Sequence, residues 1–245
     1  MLLLLKYFVV SDIHGQFDKF ITAITEVGFE QNNPNHKLII CGDLFDRGVQ
    51  NLKLYQYIKT LLEEDLDNLI VLKGNHELFF NHIIEGKKDS ITFNIQYNGF
   101  GKTLSSFTDL DYSSIIQNLD NLKEIINNKH PKLLDWISHL PFYYETKNHV
   151  FTHAGIDYQI DDWHDTNWPS QVWTDLTRYQ HVNLKKYGFH KKIVMGHFYT
   201  SRLTGIDKND IYFHSDDQKI FIDGGVAMGD RGQINVLVIE DEALL

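Results

Sequence analysis

Short runs of apolar residues recur along the chain, and each run except the last is followed by a polar turn that contains glycine. The runs occupy residues 7–10, 38–41, 69–72, 150–152, 192–195, 220–222 and 234–239. Because these runs do not alternate with polar residues, they predict strands that are covered on both faces. Between the first three runs the apolar positions take helical spacing, over residues 17–27 and 54–62. Strands that alternate with helices predict βαβ units and an α/β fold.

Residues from about 80 to 140 break this alternation with mixed polar stretches, Asn-Gly and Phe-Gly turns, and helical patterns around 115–127 and 133–137. We expect a helical insertion that packs beside the sheet and forms one wall of a cleft. No linker rich in proline, glycine or serine divides the chain, and α/β enzymes of this size commonly form one domain. The sequence therefore predicts a single domain over residues 1–245.

The apolar opening of the chain, residues 1–10, is far shorter than the roughly 20 residues that a membrane-spanning helix needs. It also lacks a basic leader and a small-residue cleavage site, so we expect a buried first strand and no contact with a membrane. The single cysteine, Cys41, excludes an intrachain disulfide and suits a reducing, cytoplasmic location.

The overall charge limits the class of partner. A formal net charge of -10 and a pI near 5.6 argue against binding to duplex nucleic acid, which depends on lysine and arginine side chains that neutralise phosphates. Only four arginines are present, so few side chains can grip a phosphate through two hydrogen bonds at once.

Metal-capable side chains lie at or just past the carboxyl ends of the predicted strands. They are Asp12, His14, Asp43, Asn75, His153 and His197. Because this edge of a parallel sheet faces one crevice, we expect the six side chains to converge there. Carboxylate, imidazole and amide donors suit Mn²⁺, Fe or Zn²⁺. Two such ions about 3.5–4 Å apart can clamp the attacking and leaving oxygens of a phosphoryl displacement.

Five motifs in chain order carry a family resemblance. They are Asp12-Ile13-His14-Gly15, Gly42-Asp43-Leu44-Phe45-Asp46-Arg47-Gly48, Gly74-Asn75-His76-Glu77, His153-Ala154-Gly155 and Gly196-His197. Together they resemble the phosphoprotein phosphatase branch of the calcineurin-like metallophosphoesterases. Asn98-Gly99, Thr103 and Leu140-Pro141 add a resemblance to the small bacterial and phage serine/threonine protein phosphatases. The resemblance, which runs from about residue 7 to 240, implies an α/β/β/α sandwich of two mixed sheets flanked by helices.

The resemblance also implies a cofactor of two divalent metal ions, with Mn²⁺ the first choice and Fe or Zn²⁺ the alternatives. Asp12 and His14 would bind the first ion, and Asp43 would bridge both. The remaining three of the six, Asn75, His153 and His197, would complete the shell of the second ion.

The same resemblance assigns the catalytic and substrate-binding residues. His76 would protonate the leaving oxygen, and Asp46 would orient its imidazole and stabilise the protonated form. Arg47 would bind the phosphoryl oxygens as charge spreads over them. A hydroxide that bridges the metals would attack phosphorus in line.

Two substitutions change the surroundings of the implied site without removing a ligand. Ser11 stands where the family commonly has glycine, and Phe198 replaces the usual threonine after Gly196-His197. We expect Ser11 to have little effect and Phe198 to alter the cleft wall.

A third departure concerns phosphate binding. The family usually presents a second phosphate-binding arginine shortly after a tryptophan, but Trp173 is followed by threonine and aspartate. Arg178, five positions after Trp173, is the first candidate for this role, and Arg202 and Arg231 are the alternatives.

The resulting hypothesis is a metal-dependent phosphoric monoester hydrolase, foremost a serine/threonine protein phosphatase acting on a phosphorylated protein or a small phosphoester. The alternative is a hydrolase of dinucleoside polyphosphates, such as diadenosine tetraphosphate, or of nucleotide caps. Symmetrical dinucleoside tetraphosphatases typically have alanine in place of Asp46 and aspartate in place of Glu77, so both positions favour the protein phosphatase. A non-catalytic binding module is a third possibility, although every implied ligand is present.

Overall fold

The computed structural model describes residues 4–64 and 68–242. The first three residues of the predicted opening strand lie outside this range. Nine strands occur in the described part of the chain: β1 (Leu4–Val10), β2 (His36–Ile40), β3 (Leu69–Val71), β4 (Tyr143–Glu145), β5 (His149–Thr152), β6 (Lys192–Met195), β7 (Tyr212–Phe213), β8 (Lys219–Phe221) and β9 (Leu237–Glu242).

The strands form two mixed sheets, in the orders β3-β2-β1-β9 and β4-β5-β6-β8-β7. In the first sheet β1, β2 and β3 run parallel, and β9 pairs with β1 in the antiparallel direction. In the second sheet β5, β6 and β8 run parallel, and the edge strands β4 and β7 run antiparallel to their neighbours. The two mixed sheets agree with the fold that the family resemblance implies.

The register aligns the carboxyl ends of the parallel strands. Val10 lies opposite Ile40, and Ile40 lies opposite Val71, so β1, β2 and β3 end at the same level of the first sheet. Val194 likewise lies opposite both Phe151 and Ile220 in the second sheet. The turns that follow these strands therefore leave each sheet along one edge.

Eleven α-helices surround the sheets in the described residues. They are α1 (Phe17–Glu26), α2 (Asn51–Glu63), α3 (Leu78–Ile84), α4 (Lys88–Tyr97), α5 (Phe100–Thr108), α6 (Tyr112–Gln117), α7 (Leu122–Lys129), α8 (Leu133–Ser138), α9 (Trp168–Gln171), α10 (Leu176–Tyr179) and α11 (Thr200–Thr204). None of the helices in residues 4–64 and 68–242 combines the length and the apolar character needed to cross a bilayer.

Three apolar clusters hold the layers together. The middle one packs the inner faces of the two sheets, where Tyr7 and Ile39 meet Phe151 and Val194. The outer face of the first sheet packs against helices α1 to α8, and the outer face of the second sheet packs against α10 and its neighbouring loops. Strands in both sheets are thus covered on both faces, which explains their uninterrupted apolar runs.

The helical insertion predicted at about 80–140 corresponds to helices α3 to α8, which bury their apolar positions against the first sheet. The remaining differences are local. The last strand begins at Leu237 instead of residue 234, and the short edge strands β4 and β7 had no signal in the apolar pattern.

Candidate active site

The turns at the strand ends hold site residues in the left-handed region of backbone conformation. Six of the eight described non-glycine residues with positive φ belong to these turns, with φ between 47° and 74°: Asp12, His14, Asp43, Asp46, Arg47 and His197. Such a conformation costs an L-residue about 1 kcal/mol or more, so it persists only where surrounding contacts enforce it. Backbone hydrogen bonds supply that support, because the N–H groups of Asp12 and His14 donate to the carbonyls of Gly42 and Asp43.

Two glycines allow these turns to pack closely. A Cβ on Gly74 would lie 2.2 Å from Oδ1 of Asp43, and a Cβ on Gly196 would lie 2.1 Å from Oδ2 of Asp12. Both distances are well inside van der Waals contact, so any side chain at either position would displace a site carboxylate.

Asp43 lies at the centre of the site, where the two sheets meet. Its Oδ2 is 3.7 Å from Nε2 of His14 and 3.8 Å from Nε2 of His76, while its Oδ1 is 3.5 Å from Nε2 of His153. Two groups of potential metal ligands therefore share this carboxylate: His14, Asp43 and His76 form one, and Asp43, His153 and His197 form the other. His76 is as near to Asp43 as His14 is.

The buried histidines of the site have defined tautomers. Nδ1 of His14 lies 2.8 Å from the carbonyl oxygen of Phe45, and Nδ1 of His153 lies 2.9 Å from that of Cys41. Since a carbonyl only accepts, each Nδ1 carries the proton, and each Nε2 directs its lone pair toward Asp43. Burial lowers the pKa of His14 well below its usual range, which keeps the ring neutral as metal coordination requires.

Asn75 and His197 complete the second group. Oδ1 of Asn75 and Nδ1 of His197 lie 2.9 Å and 3.2 Å from Nε2 of His153. Burial and the neighbouring His153 lower the pKa of His197 to about 2, so this ring is neutral as well.

Asp12 is buried beside these groups but lies outside both. Its Oδ2 accepts a hydrogen bond of 2.9 Å from the backbone N–H of His197. Asp223, which follows β8, is also buried, and its Oδ1 accepts from the N–H of Gly225. Burial and the charge of Asp223 raise the pKa of Asp12 well above its usual range.

The concentration of acids fits a site for divalent cations. Burial raises the pKa of Asp43 and brings that of Asp223 to about 6. A cation between the carboxylates would offset both the lost hydration and their mutual repulsion. Oxygen and neutral imidazole donors, without thiolate, suit Mn²⁺, Fe or Zn²⁺.

His76 belongs to a hydrogen-bonded chain that ends in the helical insertion. Its Nδ1 donates to Oδ2 of Asp46 over 2.6 Å, and Oδ1 of Asp46 accepts from the hydroxyl of Thr103 over 2.5 Å. Nη2 of Arg47 donates to Nε2 of His76 over 3.1 Å. Burial raises the pKa of Asp46 to about 8, while Thr103 and Arg47 act in the opposite direction.

Glu77 has a structural position beneath the site. Its carboxylate is fully buried and accepts hydrogen bonds of 2.8 to 2.9 Å from the N–H groups of Asp43, Leu44 and Gly74. Because Glu77 clamps two ligand-bearing turns together and does not line the cleft, its identity carries little information about the substrate.

The site opens into a cleft of about 590 Å³. Trp173 lies on one wall, where its ring is 6.1 Å from that of Phe79, which in turn is 4.8 Å from His76. Phe198 lies on another wall with its ring 4.7 Å from that of His197.

The structure corrects the expected position of the second arginine. The Arg178 side chain is 90% exposed, pairs with Asp175 at 3.6 Å, and does not line the cleft. Arg231 pairs with Asp207 and also lies outside the lining, whereas Arg202 lines the cleft.

Asp223 and the contacts of Thr103 were not predicted from the sequence. Asp223 carried a usable signal, since it directly follows a predicted strand as the other site residues do. Thr103 belonged to the resemblance, but nothing indicated its contact with Asp46, because that hydrogen bond joins residues 57 positions apart.

Comparisons with known proteins identify the family of the chain. A model of the calcineurin-like phosphoesterase family matches residues 5–225. A symmetrical bis(5'-nucleosyl)-tetraphosphatase from Marinomonas sp. (strain MWYL1) is 27% identical over 152 residues, which are 61% of this chain and 44% of the relative. The asymmetrical bis(5'-nucleosyl)-tetraphosphatase PrpE of Oceanobacillus iheyensis is 24% identical over 160 residues, 62% of this chain and 57% of that protein. The chain thus spans about half the length of the curated relatives it matches.

A protein serine/threonine phosphatase from Saccharomyces cerevisiae shares the fold, with a TM-score of 0.60 at 15% identity over 98% of this chain and 81% of that one. At this identity the likeness concerns the fold alone. The family match covers most of the chain, and all the residues that converge at the strand ends lie within it. The chain therefore belongs to the calcineurin-like phosphoesterase family.

Proposed function

We propose that this protein is a metal-dependent phosphohydrolase whose first candidate substrates are dinucleoside polyphosphates. One observation carries the proposal: the two oxygens of Asp43 face imidazoles from different sheets, 3.7 Å from His14 and 3.5 Å from His153. A carboxylate in this position can bridge two cations, which is the arrangement that phosphoryl transfer uses.

The residues that would hold the cations are those whose donor atoms converge. His14 and Asp43 would hold one ion, to which the family resemblance adds Asp12, and Asp43, Asn75, His153 and His197 would hold the other. When bound, the cations would supply the nucleophile by acidifying water and would offset the charge of the phosphoryl oxygens.

The protein's own side chains would complete the chemistry. Arg47 would bind phosphoryl oxygens through its guanidinium, which now donates to Nε2 of His76. Once Arg47 turns to the phosphoryl oxygens, Nε2 of His76 would be free to take up a proton from solvent, giving an imidazolium whose Nδ1 keeps the hydrogen bond to Asp46. From that state Nε2 would give this proton to the leaving oxygen.

The choice of dinucleoside polyphosphates is supported by two features. The curated relatives are named bis(5'-nucleosyl)-tetraphosphatases. The cleft also presents the exposed aromatic ring of Trp173 near the site, and aromatic rings are favourable stacking partners for nucleobases.

A serine/threonine protein phosphatase is the second candidate. It is favoured by the intact pair of His76 and Asp46, which are joined by a 2.6 Å hydrogen bond. An alkoxide leaves poorly unless it is protonated, so a positioned general acid matters most for alkyl phosphates such as phosphoserine.

The test is a substrate panel with purified protein and Mn²⁺: diadenosine tetraphosphate, a phosphoserine peptide and p-nitrophenyl phosphate. We expect Asp43→Asn to lower turnover of every substrate at least 1000-fold, about 4 kcal/mol. Asp109→Asn is the matched control, because Asp109 also has positive φ but lies outside the cleft. Bound manganese without turnover of any substrate would favour a non-catalytic module instead.

A further inference from the structure

The cleft holds a second fixed positive charge. Among the described residues that line it, only Arg47 and Arg202 have side chains that are always protonated. Arg47 already contacts His76. Arg202 belongs to α11, on the wall formed by the segment that follows His197.

Phe198 holds the Arg202 guanidinium in a defined orientation. The central carbon of the guanidinium lies 3.8 Å from the centre of the Phe198 ring, a cation–π contact. The same ring stacks on His197 at 4.7 Å with 30° between the planes. The charge of Arg202 is therefore one side chain away from the candidate metal centre, and a guanidinium that rests on a ring keeps its N–H edge free for an oxyanion.

The nearby acid is largely engaged elsewhere. Asp175 also lines the cleft, but its carboxylate accepts hydrogen bonds of 2.5 and 3.0 Å from Thr177 and pairs with Arg178 at 3.6 Å. Arg202 makes no ion pair at 4 Å or less with the carboxylates of residues 4–64 and 68–242. The hydrogen bond from Thr177 is the largest of the effects that lower the pKa of Asp175 and the charge of Arg202 is the last, so this charge is available to a ligand in a protein whose net charge is -10.

We infer that Arg202, oriented by Phe198, binds a second phosphoryl group that adjoins the one at the Asp43 centre, and thereby selects substrates that contain a phosphoanhydride chain. The inference rests on the proposed function and specifies which part of the substrate is recognised. A phosphomonoester has a single phosphoryl group, which the Asp43 centre and Arg47 would bind, whereas a polyphosphate offers Arg202 a neighbouring one.

The direct test is binding, which needs no turnover. The affinity of the manganese-loaded protein for AMP and for α,β-methylene-ADP is measured by titration calorimetry at fixed free Mn²⁺. These probes share base and sugar and differ by one phosphoryl group. We expect the diphosphate to bind roughly 10- to 100-fold more tightly, the range of a charge-assisted hydrogen-bonded contact.

In Arg202→Gln the ratio of the affinities for α,β-methylene-ADP and AMP should fall to about 2 or less. In Arg202→Lys the ratio should be intermediate, because the lysine ammonium keeps the charge but lacks the planar arrangement of donors of a guanidinium. Arg178→Gln, the matched control outside the cleft, should keep the full ratio. Equal binding of both probes to the unmodified protein, binding of neither, or a full ratio in Arg202→Gln would overturn the inference. Thermal unfolding of each variant shows whether it is folded.

Turnover separates this inference from the proposed function. With diadenosine tetraphosphate as substrate, Arg202→Gln should lose at least 10-fold more kcat/KM than with p-nitrophenyl phosphate, and equal losses would contradict a second-phosphoryl role. If the unmodified protein cleaves no dinucleoside polyphosphate, the proposed function fails, while the binding ratio still decides whether Arg202 holds a second phosphoryl group.

Discussion

Thr103 is the residue in the helical insertion whose side chain controls the proposed acid. Its hydroxyl donates to Oδ1 of Asp46 over 2.5 Å, and its oxygen accepts from the Asp46 N–H over 2.9 Å. Asp46 in turn accepts from His76. Valine has nearly the shape of threonine but no hydroxyl, so Thr103→Val removes the donor to a fully buried carboxylate with little change in packing.

The expected loss of kcat in Thr103→Val follows from the lost hydrogen bond between Thr103 and Asp46. Burial raises the pKa of Asp46 to about 8, and Thr103 counteracts this effect. Without the hydroxyl, the pKa rises further, a smaller fraction of Asp46 is ionised near pH 7, and the His76 imidazolium loses its partner. A hydrogen bond to a charged group contributes about 1.5–3 kcal/mol. If that energy is lost in the transition state, kcat falls roughly 10- to 100-fold.

The assay compares two leaving groups. A phosphoserine peptide releases an alkoxide that needs a proton, whereas p-nitrophenyl phosphate releases a weakly basic phenolate that needs little help. Thr103→Val should therefore lower kcat for the peptide by at least five times the factor for the aryl ester. Thr103→Ser keeps the hydroxyl and should retain most activity. Equal losses on both substrates, or a loss in Thr103→Ser as large as in Thr103→Val, would refute the role of Thr103 in supporting the acid.

Three further results are expected. Gly74→Ala should abolish stoichiometric Mn²⁺ binding by elemental analysis, because the new Cβ would overlap Asp43, while Gly101→Ala, whose nearest contact is 3.3 Å, should keep it. Trp173→Leu should raise the KM for diadenosine tetraphosphate about 5- to 100-fold, which is the effect of losing one stacked base. The KM for p-nitrophenyl phosphate should rise by less, and equal rises for both substrates would exclude stacking on Trp173. Although burial opposes it, hydrogen bonds led by that from His149 lower the pKa of Asp241 to about 2. This pKa in the folded state lies below that in the unfolded state. The Asp241 carboxylate therefore contributes about 2 kcal/mol to the free energy of unfolding above pH 4, and this contribution is lost as the pH falls toward 2. Urea unfolding should show that loss in the unmodified protein and not in Asp241→Asn.

The strand-end turns explain why so much of the site was predictable from sequence. Uninterrupted apolar runs identified strands buried on both faces, and parallel strands in register necessarily end at one edge. Asp12, Asp43 and Asn75 leave the first sheet in this way, and His153 and His197 leave the second. The chemistry of each turn could be read locally because its residues are consecutive.

The features of the site that could not be predicted from the sequence depend on tertiary packing. Asp12 and His14 belong to the residue types that tolerate positive φ best, but this weak preference does not fix the conformation, which depends on the hydrogen bonds that their N–H groups donate to the distant turn at residues 42–43. The prediction that Arg178 binds phosphate was wrong for a related reason. The spacing of Arg178 from Trp173 does not reveal that a short helix directs the Arg178 side chain to solvent beside Asp175. The sequence showed that Phe198 departs from the family pattern, but its contact with the Arg202 guanidinium is visible only in the structure.

The two candidate functions place demands on different residues of the same site. Cleavage of an alkyl phosphate depends on protonating an alkoxide, so it requires His76 and Asp46 but offers no second phosphoryl group to Arg202. Cleavage within a polyphosphate expels a phosphate anion that is already a good leaving group, so it depends less on the acid and more on a cation for the adjoining phosphoryl group. Because Thr103→Val weakens the first requirement and Arg202→Gln the second, the ratio of their effects should differ between a phosphoserine peptide and diadenosine tetraphosphate. The substrate with the larger kcat/KM in the unmodified protein then shows which of the two requirements the cleft serves.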